Sequence, residues 1–413
     1  MNSPAEAKNR TPKVMLLVGV AVLVLLGVVL GASALMSSKR HKAEEVAKAE
    51  AAAQADTVPQ NQWIEWEEGQ PVSNFHVAGF DIQMTAGLDD DLRVPVMTVS
   101  APDGQTVQVH GEGKSGKVSA RFAVVQLNAA SDERQILFSS FSYGAHCCAV
   151  PYLVEMTKDG WRTVTMGAWD GDQIELPKDV DGDGIKEFVL RDQGFLYSFS
   201  PYADSYPPIV VYAVNDGRFE DVSGQTKYRE LFIDELPIMK EACEQGGNGS
   251  CAGYAATAAR AGQLDAAWPT ILKHTGASDW TNPAPCSERN VMDCDLDDQV
   301  AYPSYAESLQ WFLGDRGYTP KVFERRDVGN GPSFSCTSAR TSTERMICAN
   351  PALREADVDL AEAYTRAHAL SSNRVELRNA QNEFLRKRNA ITDPKLMLLA
   401  YQDRIQVLKR ATD

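Results

Sequence analysis

The chain lacks a basic excess. Its 41 Lys and Arg stand against 56 Asp and Glu, for a net charge of −15 and a pI near 5.0, which excludes the basic footprint of a nucleic-acid binder. Histidine is scarce, at six in 413 residues, and no H-E-x-x-H helix is present. There is no G-x-S-x-G elbow and no Gly-rich phosphate loop. A Cys-His nucleophile would have to come from His146 and Cys147 in SYGAHCCAV, yet adjacent residues on a strand point to opposite faces. No enzyme is expected. Long apolar runs are also absent but for one, which excludes a polytopic membrane protein. With 44% hydrophobic and 23% charged residues, the chain is neither wholly disordered nor collagen-like. Its length suits two to four domains.

The one long apolar run is Val14 to Met36, without a charge. As a helix it measures about 35 Å, enough to cross a bilayer core of about 30 Å. Ala32-Ser33-Ala34 has the form of a signal-peptide cleavage site. The run exceeds the usual length of a cleaved h-region, so a retained single-pass anchor is expected. Three basic residues flank each side, so charge alone does not orient it.

The eight cysteines decide the orientation. Six form close sequential pairs, Cys243 with Cys251, Cys286 with Cys294 and Cys336 with Cys348, while Cys147 and Cys148 are adjacent. Gaps of seven, seven and eleven residues do not fit zinc spacing. Disulfides in an oxidising compartment are expected, with connectivity left open. The expected localisation is therefore the inner membrane, with residues 1–13 as a cytoplasmic tail and the C-terminal body in the periplasm.

Four further segments follow. Residues 37–59 are rich in Ala, Lys and Glu and suit a semi-rigid linker. Residues 60–227 hold short β-rich runs with turns at Pro102-Asp103-Gly104, Lys158-Asp159-Gly160 and Asn215-Asp216-Gly217, which predict hairpins in an antiparallel sandwich or propeller-like domain. The stretches YLVEMTKDGWRTVTMG and IVVYAVNDGRFEDVSG read as a weak internal repeat of that hairpin. Residues 228–332 form a disulfide-stapled helical region, with one helical pattern expected to end at Pro269. Residues 333–413 predict a helical bundle. The fold class is thus α+β multidomain. Charge is uneven: +2 over 1–59 and +3 over 333–413, which leaves −20 to residues 60–332. Such a field attracts basic partners or divalent cations.

The sharpest local motif is Asp179-Val180-Asp181-Gly182-Asp183-Gly184-Ile185-Lys186-Glu187. Alternate carboxylates in an extended loop converge, and glycines permit the tight turn that a hard cation requires. The motif resembles the Asp-rich loop of FG-GAP and integrin-type repeats. The resemblance implies a structural Ca²⁺ bound by Asp179, Asp181, Asp183 and Glu187, with the Ile185 carbonyl as a further ligand.

In the C-terminal block Leu353, Asp357, Leu360 and Tyr364 share one helix face, and Pro351 can start that helix. Leu377, Gln381, Phe384, Leu385 and Arg388 share a face in the next helix, and Leu398, Tyr401, Ile405 and Leu408 in the last. The run C-x₁₁-C, P-A-L-x₃-D-x₂-L-x₃-Y, L-R-x₂-Q-x₂-F-L-x₂-R, Y-x₂-R-I-x₂-L resembles the LprI-type lysozyme inhibitor domain. It carries Leu353, Asp357, Tyr364, Gln381, Phe384, Arg388, Tyr401 and Arg404. The chain departs in having Phe384 where that family usually has Trp, and in having no cysteine after Cys348. The resemblance implies an exported bundle that acts by contact, with lysozyme as its candidate partner. The functional expectation is a membrane-anchored periplasmic binding protein with a protein or cell-wall partner. The alternative is a structural or adhesion module of the envelope, with calcium-stiffened β structure and no inhibitory activity.

Overall fold

The computed structural model describes residues 59–142, 146–171, 173–287 and 294–412. The expected tail, the expected anchor at 14–36 and the linker up to residue 58 lie outside the described residues. Among those that are described, no helix is long and apolar enough to cross a membrane. The architecture is mixed α+β, with antiparallel sheets and several helices. Two compact units divide it. The first comprises residues up to Gln126 and Arg134–Ala168, and the second comprises Leu127–Glu133 and Trp169–Asp413.

In the first unit a four-stranded meander is built from β1's successors in chain order. Strand β1 spans Ile64–Glu67, and the meander is β2 (Asn74–Val77), β3 (Phe80–Asp89), β4 (Leu92–Ser100) and β5 (Thr106–His110). A second antiparallel sheet joins β1 to β6 (Ser119–Val125), β7 (Gln135–Phe141), β8 (Cys147–Thr157) and β9 (Gly160–Thr165). Alternation along β3, FDIQMT, buries Phe80, Ile82 and Met84 and turns the residues between them outward. Register aligns Ile64, Phe122, Phe138 and Tyr152 across four strands of the second sheet. Phe75, Ile82, Met84 and Met97 of one sheet share a core with Phe122, Ile136 and Phe138 of the other. The Phe75 and Phe122 rings meet edge to face at 5.1 Å. The two antiparallel sheets of the unit thus share one core.

The second unit opens with a two-residue strand, β10 (Trp169–Asp170), and a three-stranded sheet of β11 (Phe188–Arg191), β12 (Ile209–Asn215) and β13 (Arg218–Asp221). Both halves of the suspected repeat are hairpins, β8–β9 and β12–β13. Asp216 and Gly217 both have positive φ, 49° and 75°, the conformation of a tight two-residue hairpin turn.

Helices follow: α1 (Arg229–Gly246), α2 (Asn248–Arg260), α3 (Leu264–His274) and α4 (Tyr305–Asp315). The compact units part at 168/169, whereas the sequence pattern placed the end of the β-rich domain at 227. The reason is burial. Ile209, Val211 and Ala213 of β12 pack with Tyr228, Phe232 and Ala261, so the small sheet shares its core with helices. Pro269 does not end its helix. It lies inside α3, as Pro237 lies inside α1, because fully buried Trp268 and Ile271 hold the helix on either side of the missing N–H.

The C-terminal bundle consists of α5 (Ser342–Ala349), α6 (Pro351–Leu370), α7 (Arg374–Arg388) and α8 (Pro394–Arg410). Thr341 and Glu344 form a capping box on α5. Pro351 starts α6 behind the Asn350 cap, and Pro394 starts α8 behind Asp393. Leu353, Leu360, Met397, Tyr401 and Leu408 form the core.

Candidate binding sites in the acidic loop and the helical bundle

Carboxylates of the acidic loop accept from the loop's own backbone. Asp179 accepts from the Gly182 N–H at 2.7 Å and from the Gly184 N–H at 2.9 Å. Asp183 accepts from the Ile185 N–H at 2.8 Å. Gly182 and Gly184 have φ of 80° and 85°, where a side chain would strain the turn. Residues 178 and 187 exchange backbone hydrogen bonds, which clamps the loop ends.

Asp179, Asp181 and Glu187 bring carboxylate oxygens within 4.8 Å of one another. This geometry could hold a hard cation. The Asp181 and Glu187 side chains are only 5% and 1% exposed. Of the other residues expected to bind metal, Asp183 turns toward Lys227, and Ile185 pairs with Asn128. Lys227 is the residue that sequence reasoning missed. Its ammonium stands 2.6 Å from Asp181 Oδ2, 2.8 Å from Asp183 Oδ2 and 3.9 Å from Glu187 Oε1. Hydrogen bonds to Asp181 and then Asp183 raise the Lys227 pKa, and the bond from Lys227 lowers that of Asp183. Burial raises the Glu187 pKa, against hydrogen bonds from the Val180 N–H and the Tyr228 hydroxyl. Lys227 lies forty residues beyond the loop, and no local pattern marks it.

The bundle gathers Leu353, Phe384, Arg388 and Tyr401 around the buried carboxylate of Asp357. Asp357 is 3% exposed and Tyr401 fully buried. The Tyr401 hydroxyl donates to Asp357 Oδ1 at 2.6 Å. Arg388 Nη1 lies 2.8 Å from the Tyr401 hydroxyl and 3.4 Å from Asp357 Oδ1. The Ser333 N–H and hydroxyl donate to Asp357 Oδ2. Leu353 is fully buried beneath, and Phe384 meets Tyr401 edge-on at 6.1 Å. Arg404 and Gln381 form a separate pair at 2.9 Å. Tyr364 lies against His368, with ring centroids 5.7 Å apart. Burial, with Asp357 next, holds the Tyr401 pKa far above that of a free phenol.

The bundle is also bolted to α3 and α4. Trp268 Nε1 donates to the Ala369 carbonyl at 2.8 Å, and the Arg374 guanidinium lies 4.1 Å from the Trp268 ring. Gln310 Oε1 accepts from Arg374 at 2.9 Å and lies 2.8 Å from His368 Nδ1, while Arg378 pairs with Asp265 at 2.6 Å. Burial, then Arg374, pushes the His368 pKa down to about 4. Burial pushes that of Arg374 down to about 10.

The cysteines pair as sequential neighbours: Cys147–Cys148, Cys243–Cys251, Cys286–Cys294 and Cys336–Cys348, with none free.

Residues 233–317 match the family described as the sll0997 C-terminal domain. That span covers α2 to α4 and most of α1, and it precedes the C-terminal bundle. The chain is 29% identical over 291 residues to the uncharacterized protein y4bJ of Sinorhizobium fredii, across 67% of this chain and 45% of that protein. It is 30% identical over 241 residues to the probable thylakoid lumen protein sll0997 of Synechocystis, across 56% of this chain and 69% of that protein. The chain thus spans less than half the length of y4bJ. No solved structure matches. With that identity, and with more than two thirds of the cyanobacterial protein covered, the chain belongs to the family of sll0997.

Proposed function

We propose that the protein is a non-catalytic binding protein of an extracytoplasmic compartment, tethered to the inner membrane by residues 14–36, with its body in the periplasm. The observation that carries this reading is the complete pairing of eight cysteines in four disulfides. Such bonds persist in oxidising compartments and are rare in the cytosol. The description of one relative as a probable thylakoid lumen protein supports an extracytoplasmic setting.

Within this reading the C-terminal bundle is an LprI-like contact module with lysozyme as its candidate partner. Its support is the way Leu353, Asp357, Phe384, Arg388 and Tyr401 assemble into one core network. The full chain mixed with lysozyme in a turbidity assay tests it. Slowed lysis at molar excess is expected, and undiminished lysis removes lysozyme as the partner.

A second reading is a structural envelope module stiffened by Ca²⁺, favoured by the convergence of Asp179, Asp181 and Glu187. The donor chemistry fits a hard cation, but Lys227 supplies a positive charge at the same carboxylates. Calcium would therefore compete with an ammonium. Calorimetric titration with Ca²⁺ tests this reading: saturable heat supports it, and absence of heat refutes it.

A further inference from the structure

A cavity of about 670 Å³ lies in the second unit, within the range of small-molecule sites. Ile174, Leu190 and Ile209 give it an aliphatic floor, and Trp169 and Tyr202 wall it. Its polar groups are fixed in advance. The Tyr202 hydroxyl donates to Asp170 Oδ2 at 2.6 Å, and the Asp170 N–H donates to Gln193 Oε1 at 2.9 Å. Preorganised groups of this kind lose little freedom when a ligand arrives.

A second signal stands next to Tyr202, behind the lining. Tyr197 is 49% exposed, and its ring lies 5.7 Å from that of Tyr202. Its φ is +60°, a conformation that a bulky residue rarely adopts. Its carbonyl accepts from Trp280 Nε1 at 2.9 Å, which holds it there. Strained residues maintained by their surroundings cluster at ligand sites.

Charge narrows the ligand. The two cations in the lining, Lys178 and Arg191, are each paired, with Glu175 and with Glu235. A phosphate or carboxylate would find no ready counter-ion beside the lining carboxylates Asp170, Glu175 and Glu187, which disfavours an anionic ligand. Aromatic faces suit the C–H face of a pyranose ring. A carboxylate and a carboxamide suit neighbouring hydroxyls. An aliphatic floor suits a methyl group.

We propose that this cavity is a saccharide site, with Trp169 as its platform, for β-linked N-acetylhexosamine. Asp170 and Gln193 take the hydroxyls, Tyr202, backed by Tyr197, extends the aromatic surface, and the acetamido methyl enters the floor. The assignment rests on the extracytoplasmic reading, where such glycans are met, but its test is separate from the disulfide map and the lysozyme assay.

The experiment titrates the full chain with chitotetraose and with cellotetraose, which lacks the acetamido groups, by calorimetry and tryptophan fluorescence. Saturable binding of chitotetraose is expected, about tenfold tighter than cellotetraose. Trp169→Ala should weaken it about tenfold through loss of the stacking surface. Trp169 also packs on Tyr212 and Phe219, so Tyr202→Phe is the second variant. It keeps the ring, removes the hydroxyl donor to Asp170, and should change affinity about threefold or more. Absence of a saturable response to chitotetraose overturns the proposal. So does equal affinity for the two sugars, or unchanged binding in a folded Tyr202→Phe variant.

Discussion

Lys227 Nζ and Asp181 Oδ2 stand 2.6 Å apart, so a side chain forty-six residues distant offsets part of the acidic loop's charge. Asp181 is nearly buried, whereas Lys227 is 39% exposed. Removing the lysine therefore leaves charge under cover, and the exposure of Lys227 moderates the cost. Lys227→Met should lower stability by about 1–2 kcal/mol without calcium. Millimolar Ca²⁺ should restore the loss and bind the variant more tightly than the unaltered chain. Thermal unfolding with and without Ca²⁺ checks this; a variant as stable as the parent in chelator contradicts it.

The Tyr401–Asp357–Arg388 network gives a graded pair of variants. Tyr401→Phe removes one donor to Asp357, while the Ser333 donors remain, and should cost about 1–3 kcal/mol. Asp357→Ala strands Arg388, whose side chain is only 12% exposed, and should cost about 3–5 kcal/mol. Chemical denaturation orders the two variants, and a reversed order would show that Asp357 is not the hub.

His368 makes the joint between the bundle and the helices before it sensitive to acid. Its folded pKa, about 4, lies below the ordinary 6.5, because burial and Arg374 oppose a second positive charge. Between these values the unfolded chain binds more protons, so stability rises with pH across that window. The protein should lose about 1–2 kcal/mol as pH falls from about 6.5 to about 4, after allowance for partial exposure. His368→Gln should flatten that part of the stability profile. A profile identical to that of the parent would remove His368 as its source.

Trp268 anchors the same joint through Ala369, near the end of α6. Trp268→Phe keeps an aromatic ring but deletes the indole donor, which leaves the carbonyl unpaired. A cost of about 1–3 kcal/mol is expected. Hydrogen exchange should show faster opening at the end of α6, and unchanged protection there would argue that the joint is held elsewhere.

Local features were legible in the sequence and long-range ones were not. Asp-Gly turns announced the hairpins, because a tight turn demands those residue types wherever it occurs. Stripes in α6 and α8 announced the bundle core, because helical periodicity maps directly onto burial of Leu353, Tyr401 and Leu408. The carboxylate spacing pointed to the loop, since Asp179, Asp181 and Glu187 converge within one short segment. Lys227 was invisible, because an isolated lysine carries no pattern until the fold brings it to Asp181. The packing of the small sheet on helices was not legible for a similar reason. Strand periodicity tells which face of β12 is buried, not that Phe232 of α1 covers it. Pro269 misled because a breaking residue is tolerated where Trp268 and Ile271 supply enough burial.

The most direct measurement is peptide mapping of the native protein under non-reducing conditions. The account predicts Cys147–Cys148, Cys243–Cys251, Cys286–Cys294 and Cys336–Cys348, with no thiol left to alkylate. Eight alkylated cysteines in material prepared without reductant would contradict it and return the protein to a reducing compartment.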